Sequence, residues 1–189
     1  MTDAEATNPQ KHSATDAMPP IVPGRECGAC MQCCKLPAIQ PLNKPSGKWC
    51  VNASPGRGCA TYAIRPGVCR SFFCDWMLNP SLGPEWKPDK AKFMITSQPN
   101  GAVAILVDPA APAAWRDPKY YVAIKKFAAL MIEQGRVLTV HAGRRLTVVL
   151  PDRDHDAGLV PDEHIVGVRT SIVNGRPSYE VIVQIPSQD

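Results

Sequence analysis

The chain has 189 residues, a formal charge of +4, 20 prolines, 13 glycines and 8 cysteines. Its length suits one domain or slightly more, and an apolar fraction of 44% excludes wholesale disorder. The longest aliphatic run, Ala102–Val107, falls far short of the ~20 residues that span a bilayer, and 21 basic against 17 acidic residues is too mild a balance to argue for nucleic acid. In chain order, residues 1–24 come first, mostly Thr, Ala, Asp, Asn, Ser and Pro, and predict a disordered tail because little apolar surface offsets the ordering entropy. The opening residues lack both the basic and the apolar regions of a secretory signal, so the expected compartment is the cytoplasm.

Residues 25–90 hold all eight cysteines, and residues 91–189 hold none. The first stretch reads as a cysteine-cluster metal-binding module. The second reads as an antiparallel α+β segment that shares a core with it. The expected fold class is α+β, a small irregular cysteine-rich module packed with an antiparallel sheet carrying one main helix.

In the second stretch Ala91–Ser97 and Ala102–Val107 predict a hairpin around Gln98-Pro99-Asn100-Gly101. A helix follows, with Asp117 as N-cap, Pro118 at its first position and Gly135 past its end. Tyr120, Ile124, Phe127 and Met131 form its apolar face. Strands over Arg136–His141 and Arg145–Leu150 flank Ala142-Gly143-Arg144. Strands over His164–Val173 and Ser178–Ile185 flank Asn174-Gly175. The expected order is β-β-α-β-β-β-β.

The chemistry lies in Cys27, Cys30, Cys33, Cys34, Cys50, Cys59, Cys69 and Cys74. The run Cys27-Gly28-Ala29-Cys30-Met31-Gln32-Cys33-Cys34 is C-x2-C-x2-C-C, and two intervening residues let the chain turn so that sulfurs converge. A disulfide framework is opposed by the missing secretion signal and by the adjacent Cys33-Cys34. Buried free thiols acting as small hydrophobes are opposed by the clustering. Metal or cluster ligation by all eight is the expectation. Three cysteines at x2 spacing with a distant fourth point to a cubane iron–sulfur cluster first. Zinc, assembled from separated pairs, comes second. With no histidine in 25–90 the donors are soft, which suits iron–sulfur, zinc or copper(I) and disfavours calcium and magnesium. Eight cysteines match two four-coordinate sites or one larger one, and Cys33 and Cys34 most easily face different sites. Nine Lys/Arg against four Asp/Glu in the module offset thiolate charge.

The opening run, followed by Cys59-Ala60-Thr61-Tyr62-Ala63-Ile64-Arg65-Pro66-Gly67-Val68-Cys69-Arg70-Ser71-Phe72-Phe73-Cys74, resembles the YkgJ-type cysteine-cluster family. The second element follows that family's C-x2-Y-x2-R-P-x2-C-R-x-F-x-C pattern, and the likeness covers about residues 26–76. It implies a zinc- or iron-chelating domain with eight cysteines. The family often has glycine after the second cysteine, where Met31 stands here, while Gly28 follows the first. Some longer relatives are similar to flagellin lysine N-methylases, which use S-adenosylmethionine, but no glycine-rich cofactor loop follows a strand in this chain.

Within the motif, Arg65-Pro66 either fixes a rigid turn or lets Arg65, with Arg70, donate to the sulfurs. Phe72, Phe73 and Trp76 are expected to cover the site. Asp152, Asp154, Asp156 and Glu163 have part of a calcium-loop spacing, but Ala157 replaces the required glycine, and a solvated acidic loop is expected. His141, His155 and His164 stand at no spacing that predicts catalysis. The functional expectation is a metal-chelating protein with a redox or iron-handling role. The alternatives are a structural zinc module mediating protein or nucleic-acid interaction, and a metalloenzyme. No membrane partner is expected, and nucleic acid is not favoured.

Overall fold

The structure is a computed structural model that describes residues 20–97, 101–161 and 164–185. The expected tail therefore falls outside the described residues up to position 19. Residues 20–24, also assigned to it, are described: Ile21 packs against the cluster of Leu36, Cys74, Trp76, Met77 and Met94, and Val22 N–H donates to Met77 O at 2.9 Å.

The cysteine module is built from short turns. A 3-10 turn at Gln32–Cys34 comes first, then a two-residue hairpin of β1 (Ala53–Ser54) and β2 (Gly58–Cys59). Single helical turns follow at α1 (Gly67–Arg70), α2 (Asp75–Leu78) and α3 (Pro88–Ala91). These pieces are too short to be stable helices or sheets alone. Side chains hold them in place. Arg25 reaches across to donate to the carbonyls of Trp76, Leu82 and, at 2.7 Å, Asn79, while its guanidinium lies 5.0 Å from the Trp76 ring centroid.

The rest of the chain forms a sheet with its strands in sequence order: β3 (Phe93–Ser97), β4 (Val103–Val107), β5 (Leu138–Ala142), β6 (Arg145–Val149) and β7 (Asp154–Leu159). Between β4 and β5 runs the helix α4 (Pro118–Glu133). The Asp117 carboxylate caps it by accepting from Lys119 N–H at 3.1 Å, and Pro118 occupies its first turn. Because α4 crosses over, β4 and β5 run parallel, and the sheet is mixed rather than purely antiparallel. A separate ribbon of β8 (Ile165–Val173) and β9 (Arg176–Gln184) ends the fold. Its Asn174-Gly175 turn has φ of 50° and 73°, the left-handed pair a tight hairpin needs. The architecture is α+β, as expected from the sequence.

Two expectations need correction. Phe127 is 42% exposed, and the buried stripe of α4 is Tyr120, Ile124, Ala128 and Met131. Tyr121 on the opposite flank is drawn inward by the Trp115 ring at 5.8 Å and the Asp154 carboxylate at 3.2 Å, which rolls Phe127 toward solvent. The acidic stretch is likewise a strand, β7, which adds one element to the expected order. Its charges are matched: Asp154 by Arg116 at 3.2 Å and Lys125 at 3.6 Å, Asp156 by Arg145, and Asp152 by Arg153. The calcium spacing is thus taken up by ion pairs, and Glu163 lies outside the described residues.

Strand alternation gives the sheet two working faces. Phe93, Ile105, Val107, Leu138, Val140 and Val149 pack beneath Trp115, Tyr120, Ile124 and Ala128. From the opposite face Met94 and Leu106 pack against Leu36, Cys74, Trp76 and Met77 of the module. Further along that face Val148 and Leu150 meet Val166, Val168, Tyr179 and Val181 of the ribbon. The module and the ribbon therefore sit side by side on one face, opposite α4. Among the described residues no helix is long and apolar enough to cross a membrane.

Candidate metal centre

All eight cysteines are free thiols. In the opening run the chain turns twice: Cys30 N–H donates to Cys27 O and Cys34 N–H to Met31 O, both at 2.9 Å. Gly28 takes φ +52°, so the left-handed residue of this loop follows the first cysteine, and Met31 keeps an ordinary φ of −122°.

A cavity of about 90 Å³ opens beside this run, walled by Cys33, Cys34, Cys50, Cys59 and Cys69 together with Arg65. Backbone bonds stitch its walls together. Cys50 N–H donates to Cys34 O at 2.9 Å, Ala53 N–H to Cys50 O at 3.0 Å, and Ala53 stands opposite Cys59 in the β1–β2 hairpin. Cys69 enters on α1, anchored by its N–H to Pro66 O at 2.9 Å. On the other side of the run, Cys33 packs against a cluster of Leu36, Cys74, Trp76, Met77 and Met94.

The thiols perturb one another. Cys33 and Cys34 share a hydrogen bond in which Cys33 keeps the proton, so Cys33 is pushed up and Cys34 is lowered to about 7. Burial opposes the lowering of Cys34, and Lys44 and Arg65 reinforce it. Burial raises Cys74 to about 11, with like charge from Cys27 and Cys30 behind it and the N–H groups of Met77 and Trp76 opposing. Cys30 is raised by burial, and by Asp89 and Cys27. Cys69 is raised by burial, then by Cys34, Cys50 and Cys59, against the pull of Arg65. Stacks of neighbouring thiols that resist ionisation together are what a thiophilic cation relieves, because it binds the thiolates and displaces their protons.

Among the described residues, three buried polar atoms have no partner: Arg65 Nε, Gln32 Oε1 and Asp89 Oδ1. Arg65 holds its guanidinium 4.0 Å from the Tyr62 ring centroid, on the cavity wall, where an unpartnered N–H suits a thiolate or sulfide. Arg65 thus faces the thiols as well as standing in the turn before Pro66. Arg70 is exposed. Phe72 lines the cavity, and with Phe73 and Trp76 it joins the module to the sheet. As they stand, among the described residues no three His, Cys, Asp or Glu side chains converge tightly enough to hold an ion. The thiols are soft donors in chemistry, and five of the eight line one cavity.

A larger cleft of about 750 Å³ lies between the module and the ribbon, floored by Thr96, Leu106 and Thr139. On its wall the rings of His141 and His164 are 5.4 Å apart, His141 Nε2 is 3.0 Å from Thr139 Oγ1, and His164 Nδ1 is 2.8 Å from Pro161 O. Burial, followed by His164, lowers His141 to about 4. Nothing in the local sequence announces this pair, because β5 and β8 meet only through the fold.

No protein-family model, no curated protein and no solved structure matches the chain.

Proposed function

We propose that this is a cytoplasmic metal-chelating protein whose eight cysteines hold iron–sulfur in preference to zinc, in a redox or iron-handling role. The observation that carries the reading is the wall of free thiols around one small cavity, with the unpartnered Arg65 Nε among them. Free thiols in such number suit a reducing compartment. Cys27, Cys30 and Cys33 at x2 spacing with distant Cys74 are the ligand pattern of a cubane cluster, which supports iron–sulfur over zinc. When bound, an iron–sulfur centre supplies one-electron transfer. Membership of the YkgJ-type family belongs to the same reading.

The test is anaerobic purification with metal analysis and a visible spectrum. Iron with inorganic sulfide, and colour bleached by dithionite, is the expected result. A colourless protein with stoichiometric zinc, unfolding on chelation, moves the reading to a structural zinc module. A protein without either metal that stays fully folded in strong chelator overturns it.

The ligand-sized cleft favours a second reading, a metalloenzyme in which the module forms one wall of a small-molecule site. Saturable binding of S-adenosylmethionine by the metal-loaded protein would support it.

A further inference from the structure

We propose that the eight cysteines divide into two separate four-thiol centres, Cys27, Cys30, Cys33 and Cys74 in one and Cys34, Cys50, Cys59 and Cys69 in the other. The division rests on the metal-binding reading and goes beyond it by assigning each sulfur to a centre.

The first set is assembled by a clamp. Arg25, two residues before Cys27, donates to the carbonyl of Trp76, two residues after Cys74, and lies over its ring. Val22 N–H to Met77 O runs alongside. These contacts lay the start of the cysteine run against the start of α2, although 46 positions separate Cys27 from Cys74. The turn from Cys27 to Cys30 then brings the second thiol round, and Cys33, which also lines the cavity of the second set, packs against the apolar cluster that contains Cys74.

The second set is assembled by backbone pairing. Cys34 and Cys50 are joined through N–H to O, Cys50 and Ala53 likewise, and Ala53 is the cross-strand partner of Cys59. Cys69 closes the same cavity from α1. Cys33 and Cys34 touch where the two sets meet. Of the cavity-lining thiols, Cys33 also packs against the cluster that holds Cys74, so the boundary between centres falls between it and Cys34.

Cobalt(II) serves as the probe, because four thiolates give it intense and countable visible bands. The reduced, metal-free full chain, titrated without oxygen, is expected to take two equivalents, each with a four-thiolate spectrum. Cys30→Ser/Cys74→Ser and Cys50→Ser/Cys69→Ser, each confined to one set, are expected to keep one equivalent with the intensity per cobalt unchanged. Cys74→Ser/Cys50→Ser, which spans the sets, is expected to keep no four-thiolate centre. A within-set pair that abolishes both centres overturns the division, as does a spanning pair that leaves one intact.

A second measurement needs no variant and no metal. Limited diamide oxidation of the wild-type chain takes two electrons and two protons from each thiol pair as a disulfide forms and diamide becomes the hydrazine. Mass mapping is expected to find links such as Cys27–Cys74 and Cys34–Cys69. Prevalent links from Cys30 or Cys74 to Cys50, Cys59 or Cys69 overturn the division. If the mapped links respect the sets while no cobalt, zinc or iron binds, the division stands and the metal reading fails.

Discussion

Lys35 Nζ lies 2.6 Å from Asp108 Oδ1, joining the residue that follows Cys34 to the residue that follows β4. Both side chains are largely shielded, so the pair tethers the cysteine run to the sheet. Burial works against the Asp108 charge, but Lys35 and the Ala110 N–H outweigh it and hold the carboxyl below its usual range. Lys35→Met is expected to cost about 1–2 kcal/mol, since the Asp108 carboxylate then keeps only the Ala110 N–H and the charge of Lys92. Lys35→Met/Asp108→Asn is expected to cost less than the single change. Urea unfolding at pH 7 measures both. Asp108 contributes fully above the unfolded value of 3.8, and its contribution is lost as pH falls through the lower folded value.

His141 works over a different range. Its folded value of about 4 lies below the unfolded 6.5, so between these the unfolded chain binds more protons. Stability therefore falls as pH drops from about 6.5 to about 4, by up to roughly 3 kcal/mol, and levels off below. His141→Asn is expected to flatten that part of the profile. Denaturant midpoints of the two proteins at pH 7 and pH 4.5 give the comparison. Equal losses in both would remove His141 from the explanation.

The face of α4 is open to a simple check. Ile124 is 3% exposed, and Ile124→Ala should destabilise by roughly 3 kcal/mol. Ala128 is fully buried, and Ala128→Leu should cost about 2 kcal/mol by overpacking. Phe127→Ala should cost less than about 1 kcal/mol. A large loss at Phe127 would mean that the helix is rolled the other way.

Arg65→Gln removes the cation beside Cys34 and Cys69. A fall of about tenfold in metal affinity is expected, with the number of ions bound unchanged. Competition against a chromophoric chelator reads the affinity directly. An unchanged affinity would leave Arg65 with its turn-forming role alone.

The elements legible in the sequence were those fixed by neighbours along the chain. Asp117 and Pro118 start α4, and Asn174-Gly175 closes β8 onto β9, each through local geometry. The strand β7 was hidden because Asp154 and Asp156 resemble a solvated loop until Arg116, Lys125 and Arg145 are brought opposite them by the fold. The choice of Ala128 over Phe127 depended on Tyr121 being pulled toward Trp115 and Asp154, which no periodicity shows. In the candidate site, residue type and spacing pointed to the cysteines, five of which line one cavity. The roles of Arg25, Lys35 and the His141–His164 pair were not legible, since each acts on a residue distant in sequence.

The apolar layer between α4 and the sheet contains no cysteine. On the metal-binding proposal, a newly synthesised chain could complete that half before any ion arrives, then offer the unfinished sulfur-rich half on a firm base. Maturation would be a late, local event, and a stripped protein would keep its helix signal while losing order around residues 25–90.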